Sequence, residues 1–265
     1  MKIIIVFLAT VFFCTAHPVA ADGLSGKQII EIHKKRHMVK SAADEVVMLL
    51  VDESGNKKAR TLRRFAKQFE DGLNRTLIVF KEPKDLEGTA LMTWELGDGR
   101  HKQWMFLPGQ AALQLIADRG KRSAFMGSDF TYEDLQPDTI EDYVYSDPRS
   151  ESVDGADCHV IEILPATEEK KKESSYGKRL VWIRKDIFFT VKVEYYDRNN
   201  RHIKTQVNQG LVNVEGDTWF SEKVLMETLK TGHKTLMGVK KKQVNIPLED
   251  GMFTEKYILS GRHAS

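Results

Sequence analysis

Cysteine is nearly missing from this chain of 265 residues, which carries only Cys14 and Cys158. The first lies in a segment expected to be removed, so no intramolecular disulfide can form and stability must come from a packed core. Catalytic signatures are missing too. There is no Gly-x-Ser-x-Gly elbow, no phosphate-binding glycine loop and no pair of closely spaced cysteine ligands. Gly120-Lys121-Arg122-Ser123 has the ending of a phosphate loop, but Leu115 stands where that loop needs its first glycine. Excess charge of one sign is also lacking, since the formal net charge is +2, and this argues against nucleic acid as a partner. Cys158 and His159 do not make a thiol–imidazole pair, because neighbours on a strand point to opposite faces. No catalytic residue, cofactor or metal is expected.

What is present begins with a secretory signal peptide. Lys2 supplies the charged region, Ile3 to Thr15 the apolar core and Val19-Ala20-Ala21 the small-residue cleavage site. The apolar run is shorter than the ~20 residues a membrane span needs. Phe12 and Phe13 are too bulky for the small-residue motif that would make Cys14 a lipid anchor. Residues 1–21 are therefore read as a leader and 22–265 as one mature domain, with the periplasm as its address. Losing Lys2 leaves the mature chain close to neutral.

The first folded element is a helix from about Gly26 to Lys40. Ser25 and Gln28 form a capping box, Leu24 and Ile29 occupy the positions of a hydrophobic staple, and Ile29, Ile32, Arg36 and Val39 share a face. His33 and His37 are four apart, but no third ligand accompanies them. From Asp44 the pattern turns to strands. Val46 to Val51 is continuously apolar, and Lys57 to Phe69 alternates basic and apolar residues, so that Arg60, Arg63 and Arg64 read as a solvated face. Leu77 to Phe80, Thr89 to Leu96 and Gln103 to Leu107 follow, closed by Pro83, by Gly97-Asp98-Gly99 and by Pro108-Gly109. Ala111 to Ala117 continues the meander. Cys158 to Leu164 is then answered by Lys178 to Ile183, with the charge run Glu168 to Ser175 as a loop tip between them. Thr190 to Tyr195, His202 to Asn208, Trp219 to Leu229 and Lys234 to Ile246 complete the strands. Dense charge in Lys57 to Lys67 and Lys234 to Lys242 leaves no lipid-facing band, which excludes a transmembrane barrel.

Between the first strands and the last lies a stretch of another kind, Arg119 to Leu135. It is basic, then small, then aromatic, and Thr131 with Asp134 makes a capping box for one helical turn. Gly120 and Gly127 give the backbone freedom, and Phe125, Met126 and Phe130 are apolar groups in need of cover, so the segment reads as an exposed, mobile lid or a partner contact. The economical architecture is one strongly curved antiparallel sheet forming an incomplete β-barrel, mainly β with few helices, covered by the first helix and this segment. Its concave face offers more apolar surface than two short helices fill, which predicts a ligand cavity. By alternation Leu77, Val79, Leu91, Trp104 and Phe106 line it, with Phe125, Met126 and Phe130 at its mouth.

FKEPKDLEGTALMTW, WMFLPG, FMGSDFTYEDL and EDYVY together resemble the outer-membrane lipoprotein-sorting family, the LolA-like proteins, over nearly all of the mature chain. The resemblance implies an incomplete β-barrel closed by helices that binds acyl chains inside it. It also implies a lid-holding arginine on an early strand, in the region of Arg60, Arg63 and Arg64. GSDFTYEDL is not a feature of the carrier itself, which places the match in a separate branch, whose relatives often accompany lipid-exporting membrane pumps. The partners expected are lipid or lipoprotein acyl chains and an inner-membrane lipid exporter, and the chain is expected to be a monomer. Two functions follow, a periplasmic carrier without a chemical step and an adaptor of a lipid-exporting transporter. The mature N-terminus is expected at Asp22, or at Ala21 if cleavage falls one residue earlier. Intact-mass measurement checks this, and an acylated Cys14 would contradict it.

Overall fold

The computed structural model describes residues 23–264, so the expected signal peptide lies outside the described residues. The first helix, α1, runs Gly26–His37. Ser25 Oγ accepts the Gln28 amide at 3.3 Å while Gln28 Oε1 accepts the Ser25 amide at 2.8 Å, the reciprocal cap read from the sequence. The helix stops before Lys40 because the chain is already extended at Met38. Gly26 has no substitute there, since a Cβ on it would stand 2.1 Å from the Ser146 carbonyl oxygen. Two shorter helices follow, α2 at Glu168–Glu173 and α3 at Glu255–Leu259. Among the described residues no helix is long and apolar enough to cross a membrane.

Fourteen strands form a single sheet. They are β1 Ser41–Val51, β2 Lys57–Gln68, β3 Asn74–Glu82, β4 Ala90–Glu95, β5 His101–Leu107, β6 Ala112–Leu115 and β7 Tyr143–Tyr145, then β8 Arg149–Val153, β9 Ala156–Pro165, β10 Lys178–Arg184, β11 Thr190–Tyr196, β12 His202–Glu215, β13 Thr218–Thr228 and β14 His233–Val244. Their spatial order is β6-β5-β4-β3-β2-β1-β14-β13-β12-β11-β10-β9-β7, with β8 also on β9, and every pairing is antiparallel. Two meanders therefore meet where the first strand pairs with the last. Among the described strands no ladder joins β6 to β7 or β8, so the sheet stays open, as an incomplete barrel does.

Several strands differ from the sequence reading: β12 runs on to Glu215, seven residues past the expected Asn208, because β13 pairs along its whole length. β1 starts five residues early because Asp44, 3% exposed, is buried between Arg64 and Lys242, whose Nζ lies 3.0 Å from its carboxylate. Burial alone would raise the Asp44 pKa, and the two cations instead hold it below the usual carboxylate range. β8, Arg-Ser-Glu-Ser-Val, is a polar edge strand without alternation. The run Glu168 to Ser175, expected as a loop tip, holds α2, capped by Thr167 Oγ1 accepting the Lys170 amide at 3.1 Å.

Side chains from alternate positions build two faces. On the inner face, Val46, Met48, Leu50, Leu62, Ile78, Phe80, Leu91 and Met105 pack under Phe125, while Ile161, Ile163, Val181, Ile183 and Val193 pack under Ile29 of α1 and Phe130. Met237 and Leu135 touch both groups, so one apolar layer runs across the whole sheet. The outer face of β2 to β5 is also buried: Leu77, Val79, Met92, Trp104 and Phe106 pack under Phe253 and Ile258 of the C-terminal segment. This corrects the expected cavity lining. Leu77, Val79, Trp104 and Phe106 face outward into that second core, and Leu91 alone faces inward, because Leu91 pairs with Ile78 rather than with Leu77.

Candidate functional site

The segment between β6 and β7 is the first feature to place. Phe125 is fully buried and Phe130 is 5% exposed, which corrects the expectation of exposed lid aromatics. Each ring is worth about 1.5–3 kcal/mol of burial in that position. Phe125 lies against Phe80 and Tyr132, with ring centroids 5.7 and 5.6 Å away. Met126, half-buried, turns the chain in a left-handed conformation at φ 50°, and Gly127 follows at φ 73°.

Hydrogen bonds fix the rest of the segment to the sheet. The Asp129 carboxylate accepts the Thr228 hydroxyl at 2.5 Å, the Thr235 hydroxyl at 2.7 Å and the His233 Nδ1–H at 2.7 Å. Its amide donates to Thr235 Oγ1 at 3.0 Å, and its carbonyl accepts Lys204 Nζ at 2.7 Å. The capping box is present, with the Thr131 amide 2.7 Å from Asp134 Oδ2 and the Asp134 amide 3.2 Å from Thr131 Oγ1. Asp134 also accepts the Tyr176 hydroxyl at 2.7 Å, and burial together with that carboxylate pushes the phenol far above its ordinary range, so it remains a donor. Gln103 Nε2 donates to the Tyr132 carbonyl at 3.0 Å, and Glu133 accepts the Ser174 hydroxyl at 2.6 Å and the Ser175 amide at 2.7 Å. The segment is thus a strap laid across the inner face. Of the early arginines, Arg60 reaches it: Nη1 donates to the Met126 carbonyl at 2.6 Å. Arg64 binds Asp44, and Arg63 lies over the Phe65 ring. Arg60 and Arg64 therefore sit on the inner side of β2, where Arg60 is half-buried under the strap, while Arg64, like Arg63, keeps the solvent exposure expected of it.

Where the strap ends, the inner face is not filled. A cavity of about 470 Å3 lies between α1, the inner face of β9 to β12 and the chain from Glu133 to Ile140. Ile30, Ile140, Ile163, Val181, Phe189 and Val193 form its apolar walls. Tyr195, Gln206 and Asn208 run along the floor as a closed ladder, with Tyr195 Oη donating to Gln206 Oε1 at 2.9 Å, Gln206 Nε2 to Asn208 Oδ1 at 3.0 Å and Asn208 Nδ2 to the Thr190 carbonyl at 2.8 Å. At the rim, Arg179 Nη1 donates to Asp138 Oδ2 at 2.9 Å. The volume falls in the roughly 300–1,000 Å3 range of small-molecule sites. None of the eight residues chosen from sequence lines this space. A signal was there: Arg179 alternates with Val181 and Ile183 and so shares their face, a charge at an apolar position.

His33 and His37 hold the helix that walls the cavity. His33 Nδ1–H donates to the Phe188 carbonyl at 2.8 Å and His37 Nε2–H to the same oxygen at 3.1 Å, while His37 Nδ1 accepts the Trp219 amide at 3.0 Å. Phe188, at φ 52°, forms the turn between β10 and β11, so the pair ties α1 to that turn. Among the described residues no group of three or more potential ligands is placed to hold a metal.

A family model described as "-like: Uncharacterized protein" matches residues 72–260. No curated protein matches the chain. Among solved structures, a "putative outer membrane lipoprotein-sorting protein domain" from Vibrio parahaemolyticus is 27% identical, with a TM-score of 0.82 over 88% of this chain and 98% of that one. A DUF1329 family protein from Desulfovibrio piger is 26% identical, with a TM-score of 0.82 over 88% of this chain and 97% of that one. A LolA superfamily protein from Nitrosomonas europaea is 20% identical and shares the fold, with a TM-score of 0.70 over 89% of this chain and all of that one.

The histidines generate a pH prediction. Burial pushes the His33 imidazole down from 6.5 to about 4 and lowers that of His37 in the same way. Between these values the unfolded chain binds a proton that the folded chain refuses, so the contribution of His33 is complete above 6.5 and is lost as pH falls toward 4. Its slope approaches about 1.4 kcal/mol per pH unit. Denaturant unfolding across this window should show a smaller loss of stability on acidification for His33→Gln, which keeps a donor for Phe188 but does not titrate. Equal losses in both proteins would contradict the assignment.

Proposed function

We propose that the chain, which belongs to the family of uncharacterized proteins whose model matches residues 72–260 and shares its fold with a putative outer-membrane lipoprotein-sorting domain and a LolA superfamily protein, is a periplasmic carrier that shelters the acyl chains of a lipid or lipoprotein on the way to the outer membrane. The observation that carries this reading is the cavity of about 470 Å3 under α1, with aliphatic and aromatic walls, a polar floor and a charged rim, left open by the strap. Each methylene moved from water into such a space contributes about 0.8 kcal/mol, enough for affinity without any chemical step. Function as a carrier needs no catalytic group and no cofactor. Arg60 takes the part of the lid-holding arginine that the resemblance implies, through its bond to the Met126 carbonyl. An inner-membrane lipid exporter is the partner that would load the cargo.

Protein purified from a bacterial periplasm should carry lipid in native mass spectrometry, and it should bind a fluorescent fatty acyl probe. Ile30→Trp, which fills the cavity from α1, should weaken probe binding by about tenfold, equivalent to about 1.4 kcal/mol, with the melting temperature retained. Lipid-free protein that takes up no probe would reject the carrier and leave the transporter adaptor as the function. Unchanged binding in Ile30→Trp would move the site elsewhere on the protein.

A further inference from the structure

The cavity rim holds one hydrogen-bond donor whose acceptor is not supplied by the protein. Arg179 projects from β10 on the inner face, its side chain 16% exposed. Nη1 is engaged by Asp138, and the Tyr143 ring lies 4.7 Å from the guanidinium carbon. Nη2 is buried and has no hydrogen-bond partner. A buried guanidinium N–H left unpaired costs about 1–3 kcal/mol or more, so the group is set up to meet an oxygen that arrives with a ligand. Backbone and side-chain acceptors nearby are committed already: Asp134 to Tyr176 and Thr131, Glu133 to Ser174 and Ser175.

The charge of the surroundings restricts which oxygen this can be. The lining contains Lys34 and Arg179 against Glu133, Asp134 and Asp138, and Lys204 Nζ stands 3.6 Å from Asp134 just behind it, so the charges balance and leave no spare cation for an anionic ligand. Lys34 is held away, its Nζ donating to the Asp138 carbonyl at 3.1 Å. A carboxylate or phosphate placed at Nη2 would gain one charge-assisted bond, but the guanidinium charge is already matched by Asp138, so the ligand would bring its own charge out of water with no counter-charge to meet it. A neutral acceptor gains the bond without that penalty. Resting on the carrier reading above, we infer that Arg179 reads an uncharged carbonyl or hydroxyl oxygen at the head of the cargo, so that the cavity takes ester- or amide-linked acyl chains or hydroxylated lipids and discriminates against ionised fatty acids.

Displacement of a bound fluorescent probe tests this with three competitors of one chain length: a monoacylglycerol, the fatty acid at a pH where it is ionised, and the plain hydrocarbon. The monoacylglycerol should bind about tenfold more tightly than either of the others, the gain of one well-placed hydrogen bond. In Arg179→Met its advantage over the hydrocarbon should vanish while the hydrocarbon binds as before, a readout that a merely structural arginine would not give. An ionised acid that competes as well as the ester overturns the inference in the wild-type protein alone, with no variant needed. An ester advantage that survives Arg179→Met overturns it as well, leaving Nη2 to a water molecule. Failure of all three competitors and of the probe removes the carrier reading, and this inference falls with it.

Discussion

A carboxylate taken out of water has to be met by donors, or the structure that buries it does not form. Asp129 satisfies that condition with three side chains from β13 and β14, and its backbone with Thr235 and Lys204. Much of the inner face depends on this one knot. It fixes the strap at the centre of the sheet, where β14 pairs with β1, so that Phe125 falls on one side of it and Phe130 on the other. The half over β1 to β5 is thereby packed under Phe125. The half over β9 to β12 is left to α1, a helix of twelve residues that presents Ile29 and Ile30 but cannot fill the width of four strands.

This division explains why the cavity lies under the helix and not under the conspicuous motif. Phe125 and Phe130 lock the strap by burial, Asp129 and Asp134 by charge-assisted bonds, and Arg60 by the Met126 carbonyl. With the strap so held, the opposite boundary of the site is the contact of α1 with the turn at Phe188, which rests on two histidines. Architecture and site share residues at one point: Asp134 and Glu133 end the strap and begin the cavity rim.

Local signals were legible in the sequence. The Ser25–Gln28 and Thr131–Asp134 boxes involve residues three apart, and both form as read. The strands that alternate, such as Thr190 to Tyr196, were equally clear. What could not be read is which face a doubly buried strand turns inward. Leu77, Ile78, Val79 and Phe80 are all buried, because the C-terminal segment covers the outer face of β3 with Phe253 and Ile258. Four apolar residues in a row carry no parity, and their cover comes from more than 170 positions away, a contact that no window of sequence contains. Arg60 misled for the converse reason. A basic residue on an alternating strand suggests water, and the Met126 carbonyl that receives it is fixed only by the tertiary fold.

Amide hydrogen exchange across the strap tests the central claim, that this segment is a fixed partition of the inner face. The amides of Phe125, Asp129 and Thr131 donate to Phe130, Thr235 and Asp134 within the fold. They should be protected to the level of the β14 core at Met237, opening only with global unfolding. Exchange at the rate of the exposed turn Asp52 to Asn56 would mean that the strap lifts on its own, and the division of the inner face into a packed half and an open half would not hold.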